Sequence, residues 1–261
     1  MTAWRLLDTG ARDGAWNMAC DVALVARARR TGETVFRVYA WARPTLSFGR
    51  HEAARRHYDA ATIAAAGVDL VRRPTGGRAL LHHREVTYSI TAPVVPGESL
   101  AASVRRFNQL LLDALRTLGV DAREAGASRA MRPEGAACFA VPSAGELTLD
   151  GRKLVGSAQV RQDGALLQHG SILLDDDQGR IAGFAAGPYL PPAPAASLRE
   201  ALGANAAYEP VRDALLRTVA AASGARSTEE LNLPPDEALR GSPEFDDALR
   251  QFRDAAWTWR R

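Results

Sequence analysis

Apolar residues recur along this chain with two periods. Short stretches that alternate or run apolar predict strands at Thr2–Leu7, Thr34–Trp41, Thr45–Phe48, Val68–Arg72 and Glu85–Thr91, the last with Val86, Tyr88 and Ile90 on one face. Ala42–Pro44 breaks the second of these from the third. A period near 3.6 predicts helices. One runs from a cap at Asn17 to about Arg30 with Met18, Val22, Leu24 and Val25 inward, and another spans Asp59–Ala66 and stops at Gly67. The clearest helix is Ser99–Leu118, where Val104, Phe107, Leu111, Ala114, Leu115 and Leu118 share a face and Gly119 ends the run. Gly126–Ala137 is rich in small residues and reads as an extended loop. Glu146–Leu149 and Lys153–Val160 flank Asp150-Gly151, a strong hairpin signal, and Asp163-Gly164 joins the second strand to Ala165–Leu174. After a Pro-rich linker at Pro188–Pro194 the pattern turns helical, at Ser197–Leu202, Pro210–Ala222 and Pro243–Trp257. The expected fold class is α+β: a catalytic-type domain over 1–187, with a linker and a helical C-terminal extension over 188–261 packed on it.

Composition narrows this further. With 261 residues the chain buries a full core without staples, and 46% hydrophobic with 24% charged residues excludes disorder. Two cysteines exclude a disulfide framework and a multi-cysteine zinc site. No run approaches the length of a membrane span and the start lacks a secretion pattern, so the expectation is a cytoplasmic protein without a membrane partner. A net charge of +3 and a pI near 9.2 imply mild attraction to acidic partners. Long basic runs, Cys/His fingers and aromatic ladders are missing, which argues against nucleic acid. One further fact alters the picture: of the 33 Lys and Arg residues only Lys153 is lysine. Arginine keeps its proton near neutral pH, whereas lysine gives it up when its surroundings demand. A lone lysine among arginines is therefore a candidate for chemistry.

Three constellations carry the candidate chemistry. Arg72-Arg73-Pro74-Thr75-Gly76-Gly77-Arg78, followed by His82 and His83, places a Gly-Gly turn at a strand end, where backbone N–H groups approach an anion without a Cβ in the way. An ordinary turn is the plain alternative, and the run is no Walker loop. Cys138 lies between the small-residue loop and the hairpin. A nucleophilic cysteine needs a nearby cation to hold its thiolate, and Lys153 follows across the hairpin. Cys20 sits on an apolar helix and reads as core. Gly156-Ser157-Ala158 and His169-Gly170 occupy neighbouring strands that line one cleft in this reading, although His169 alone reads as a structural histidine. No metal site is expected, since His82-His83 lacks a carboxylate pair nearby.

The run from Arg72 to Ile90, together with Cys138 to Leu174, resembles the biotin/lipoate protein ligase superfamily. Asn17-Met18-Ala19, Arg43 to Ser47 and the Trp-Thr-Trp-Arg-Arg end extend the resemblance over most of the chain. It is nearest to the cysteine-dependent octanoyltransferases that load the glycine cleavage H protein. The resemblance implies a mixed or antiparallel sheet flanked by helices. It also implies transfer of an octanoyl group from acyl carrier protein to Cys138, then to a lysine of a lipoyl domain or H protein, with no cofactor. Lys153 would lower the Cys138 pKa, and Arg73, Thr75, Gly76, Gly77 and His82 would line the acyl pocket with Gly156, Ser157 and Ala158; Arg72, His169 and Gly170 join them as substrate-binding candidates. His83 and Ala144-Gly145 depart from the family pattern. Two rivals stay open. An ATP- and Mg-dependent lipoate ligase would use the Gly-Gly turn and Lys153 but needs no Cys138. An inactive acyl or carrier-protein binding module would need neither Cys138 nor Lys153 for chemistry. Biotin ligation is disfavoured, because the phosphate loop it uses is not found.

Overall fold

The computed structural model describes residues 3–126, 145–189 and 193–261. Cys138, most of the small-residue loop, and part of the Pro-rich linker lie outside them. Strand β1 (Trp4–Arg12) leads through helix α1 (Gly14–Thr31) to β2 (Thr34–Trp41). These strands pair in parallel, so a crossover is required, and α1 supplies it. Next come β3 (Thr45–Phe48), α2 (Ala54–His57), α3 (Ala60–Ala65), β4 (Asp69–Arg72), β5 (Leu80–His82) and β6 (Glu85–Pro93). Helix α4 (Leu100–Thr117) precedes β7 (Arg123–Glu124), β8 (Leu147–Leu149), β9 (Arg152–Gln162) and β10 (Ala165–Leu173). The chain ends in α5 (Leu198–Leu202), α6 (Tyr208–Ala222), α7 (Pro235–Leu239), α8 (Pro243–Arg253) and α9 (Ala255–Thr258).

The strands form a seven-stranded mixed sheet, ordered β1-β2-β6-β10-β9-β8-β7, and a three-stranded sheet, β4-β3-β5. The expected α+β class with flanking helices and a helical C-terminal region is what the chain adopts. One face of the large sheet packs on α4 and α6: Val86, Tyr88 and Ile90 meet Phe107, Leu111 and Leu115 there, joined by Val211, Leu215 and Val219. The C-terminal helix α6 thus shares a core with the central strands. The other face carries α1, against which α8 lies through Phe252 and Ala248. The small sheet has its own apolar cluster, with Leu46, Phe48, Ile63 and Leu81.

Local chemistry accounts for most element ends. Ser99 caps α4 by accepting from the Ala102 N–H, and Asp59 caps α3 from the Thr62 N–H. Both hairpin turns place Asp and Gly at positive φ, +49° and +76° at Asp150-Gly151 and +50° and +83° at Asp163-Gly164, the geometry whose twist matches the flanking strands. Two expectations are corrected. Helix α1 starts earlier than Asn17 and is capped by Asp13; the Asn17 amide turns inward and donates to the Arg12 and Ala40 carbonyls. The predicted Pro243–Trp257 helix is two helices, because Asp254 leaves the helical conformation and caps α9. Strands β5 and β7 and helices α2 and α7 go unpredicted, being too short to show a period.

Candidate active site

A seam of polar side chains runs between the two sheets and α1. Its first wall is the turn after β4. Gly49 and Gly77 approach so closely that a Cβ on Gly49 would lie 1.8 Å from the Gly77 carbonyl oxygen. Arg73 threads this turn, donating to the Ser47 carbonyl at 3.0 Å, the Ser47 hydroxyl at 2.9 Å and the Arg78 carbonyl at 2.6 Å. Arg72 points the other way. Its guanidinium donates to the carbonyls of Gly49, Glu52 and Thr258, tying the loop after β3 and the C-terminal segment to β4. Both arginines are buried and hold backbone; the sequence reading expected them to bind substrate.

Two carboxylate–histidine–hydroxyl arrays cross the seam. In one, Asp21 Oδ2 lies 3.0 Å from His169 Nδ1, and His169 Nε2 lies 2.7 Å from Thr75 Oγ1. Burial penalises the Asp21 charge, but hydrogen bonding from His169 and the Arg37 charge outweigh it and hold the carboxyl below its ordinary range. Ionised Asp21 only accepts, so His169 Nδ1 carries the proton. Asp21 also takes Arg37 at 2.8 Å in an ion pair with no solvent exposure, and the Ser89 hydroxyl at 2.7 Å.

In the second array, Glu85 Oε1 sits 2.8 Å from His82 Nδ1, and His82 Nε2 sits 2.8 Å from Ser47 Oγ. Burial pushes the His82 pKa down despite the opposing pull of Glu85, so the ring is neutral at neutral pH. Glu85 Oε1 accepts, from Thr87 and Ser171 as well, so Nδ1 of the neutral ring carries its hydrogen, and the bare Nε2 accepts from the Ser47 hydroxyl, whose oxygen receives Arg73. The His82 ring stacks on Trp41, centroids 3.9 Å apart. Glu85, rather than residue 83, therefore orients His82; His83 pairs with Asp177.

The second wall is the β9–β10 pair. Ala158 opposes His169, and Gly156 opposes Ser171, whose hydroxyl donates to Glu85 at 2.7 Å. Opposed residues share a face, so Gly156, Ala158 and His169 front the seam. Ser157 and Gly170 are on the opposite face, where Ser157 Oγ bonds the Tyr88 hydroxyl at 2.7 Å. A Cβ on Gly170 would meet the Gly156 carbonyl at 2.5 Å and Tyr88 at 2.8 Å. Of these five candidates, Gly156–Ala158 and His169–Gly170, the structure gathers three and turns two away.

Lys153 reaches the seam face through a break in alternation. Strand β8 pairs Leu147 with Val155 but Thr148 with Lys153, so Leu154 is an extra residue, a β-bulge. Leu154 and Val155 consequently both enter the core behind the sheet, and the parity of the strand shifts. Lys153 is turned onto the opposite face from Val155, is 2% exposed, and places Nζ 2.5 Å from Glu146 Oε1. Cys20 is core as expected; burial pushes its thiol up to about 12, far from thiolate formation. Asp21, Arg37, Ser47, Trp41 and Glu85 escaped sequence reading. An Asp on an apolar helix face and a Glu three residues after His82 were the available signals.

The residues from 13 to 220 match the family described as lipoyl protein ligase A/B catalytic domain. The octanoyltransferase LipM of Kyrpidia tusciae is 43% identical over the full length of both chains. Octanoyltransferase LipM of Symbiobacterium thermophilum is 40% identical, covering 85% of this chain and 87% of its own. Among solved structures, LipL1 of P. falciparum in complex with lipoate superposes with a TM-score of 0.78 at 16% identity, over 99% of this chain and 74% of the other. A bi-partite lipoate protein ligase from Thermoplasma acidophilum superposes with a TM-score of 0.74 at 18% identity, over 99% and 97%. The chain belongs to the lipoyl protein ligase A/B catalytic-domain family.

Proposed function

We propose that this chain is an octanoyltransferase of lipoate biosynthesis that works through a thioester on Cys138. A relative similar over the whole chain carries that activity in its name, as does one covering 85% of it. The observation that carries the reading over the ligase is Cys138, which a ligase does not need; Lys153, the lone lysine, buried beside Glu146 and turned by a bulge onto the seam face, supplies the cation that either reaction would use. In the first step the Cys138 thiolate attacks the octanoyl carbonyl of acyl carrier protein; a new C–S bond forms, the bond to the carrier sulfur breaks, and the carrier thiolate takes up a proton. In the second, the ε-amine of a lysine on a lipoyl domain or glycine cleavage H protein attacks, loses a proton, and releases Cys138. One difficult acyl transfer becomes two easier ones. Lys153 favours the Cys138 thiolate by its charge, and each pKa unit so gained is worth about 1.4 kcal/mol. In this reading backbone N–H groups of the Gly76-Gly77 turn stabilise the oxyanion. The reaction takes no cofactor and runs in the cytoplasm, where the carrier-borne acyl chain is made.

The test is the intact mass of the protein after exposure to octanoyl-acyl carrier protein without ATP. An octanoyl adduct that hydroxylamine removes and Cys138→Ala abolishes supports the thioester route. If no adduct forms, and lipoate with ATP and Mg instead yields a tightly held adenylate, the protein is a ligase. Lys153→Arg keeps a charge but not a transferable proton, and is expected to slow octanoyl transfer by about 100-fold, the scale of lost general acid–base help.

A further inference from the structure

Beside the Gly49–Gly77 contact the chain collects guanidinium groups from separate stretches. The Arg50 N–H donates to the Thr75 carbonyl at 2.8 Å, so Arg50 abuts the very residue whose side chain meets His169. Arg260 Nη2 donates to the Arg50 carbonyl at 2.7 Å. The Arg55 N–H donates to the Arg261 carbonyl at 3.0 Å, and its Nε to the Trp259 carbonyl. Beneath them lies Arg72, with Nη2 lacking any hydrogen-bond partner among the described residues. Burial first, and then repulsion from Arg260, Arg261 and Arg73 against the pull of Glu52, bring the Arg72 pKa down to about 10. Repulsion from Arg50 and Arg261 adds to burial in lowering that of Arg260.

Among the described residues these charges lack side-chain ion-pair partners. Many surface arginines elsewhere sit against carboxylates, as Arg29 does on Asp163, Arg106 on Glu98 and Arg199 on Asp175, although among the described residues Arg12, Arg56, Arg105, Arg217 and Arg240 pair with none. Among the described residues no carboxylate pairs with Arg50, Arg55, Arg72, Arg260 or Arg261. The acid that faces them, Glu52, accepts at 3.0 Å from both the Gly49 and Ala79 N–H groups, so it serves the turn. Holding like charges together costs free energy, and an anionic partner removes that cost.

We propose that Arg50, Arg55, Arg260 and Arg261 form the docking surface for the acidic carrier protein that presents the acyl thioester, with the phosphodiester of its prosthetic arm passing over this cluster toward the Gly49–Gly77 side of the seam; this rests on the octanoyltransferase reading. Complementary charge chiefly sets encounter rate and orientation, so its removal acts on delivery of the acyl group and spares the acyl-transfer chemistry.

The variant Arg50→Glu/Arg261→Glu is chosen because neither side chain donates a hydrogen bond to a described residue. Two measurements separate docking from chemistry. Binding of holo-acyl carrier protein, by titration at low salt, is expected to weaken at least tenfold, with the gap closing as salt screens the charges. That binding reads the docking surface even if no acyl adduct ever forms. Formation of the octanoyl adduct is expected to lose at least tenfold in kcat/KM with octanoyl-acyl carrier protein and to be unchanged with the small neutral donor octanoyl-N-acetylcysteamine. Unaltered carrier binding overturns the proposal. So does an equal loss with both donors, or a loss confined to the later transfer onto a lipoyl domain, which would make the cluster an acceptor site.

Discussion

Asp21 is the residue on which the seam depends most. It anchors His169 from α1 and neutralises Arg37, whose own guanidinium is buried with no solvent exposure. Asp21→Asn leaves that charge unpaired inside the protein and is expected to cost about 3–5 kcal/mol, read from urea unfolding. If Arg37 is replaced by Met in the same chain, part of the loss should return, because the stranded charge is gone. His82 gives a different readout. Its pKa is lower in the folded chain than the ordinary value of about 6.5, so the unfolded chain binds the proton first as pH falls. Stability from this group is complete above about pH 6.5 and drains away as pH drops toward the folded value. The urea midpoint should therefore fall between pH 7 and pH 5, and His82→Gln should flatten that slope. An identical slope in the variant would assign the acid sensitivity to other groups.

At the level of elements, two close approaches and one bulge shape the site. The loop after β3 and the turn after β4 meet where Gly49 faces Gly77, and only a residue without Cβ fits there. Gly49→Ala is expected to cost about 1–3 kcal/mol of overpacking and to lower octanoyl transfer with it, checked by thermal unfolding alongside activity. Period and turn chemistry made β6, α4 and both hairpins legible in advance, since Val86, Tyr88 and Ile90 alternate cleanly and Asp-Gly at positive φ has one common use. The Arg72–Arg78 run and Lys153 were legible as candidates for the same reason that they break local pattern. What escaped was long-range. Leu154 looks like any strand residue until its pairing with β8 is known, so the bulge that turns Lys153 was invisible. Asp21 and Glu85 were hidden because a single charge in an amphipathic stretch reads as a solvated face, and only the packed sheets show it enclosed. Arg72 and Arg73 were assigned to substrate because sequence gives charge without direction; their donors point at carbonyls.

Across the whole molecule, the end of the chain reaches back to the start of the site. Trp259 packs against Phe48, the Trp257 indole N–H donates to the Arg72 carbonyl, and the Thr258 carbonyl receives Arg72 Nε. Removing residues 255–261 takes a partner from a buried guanidinium and should cost about 3 kcal/mol, seen as a lower unfolding midpoint with the catalytic residues untouched. A truncated chain as stable as the full one would show that α9 merely rests on the small sheet.

The near absence of lysine has a consequence for the protein's own survival as an acylating agent. An enzyme that makes amides from thioesters endangers any amine within reach, its own included. Guanidinium groups are protonated and unreactive toward thioesters at neutral pH, so a coat of arginine keeps charge and solubility without offering a target. The one ε-amine here is enclosed and held by a carboxylate. The exterior thus offers no lysine to stray self-acylation, and an amine-selective reagent should reach Lys153 only as the chain opens, which turns that single residue into a built-in reporter of unfolding.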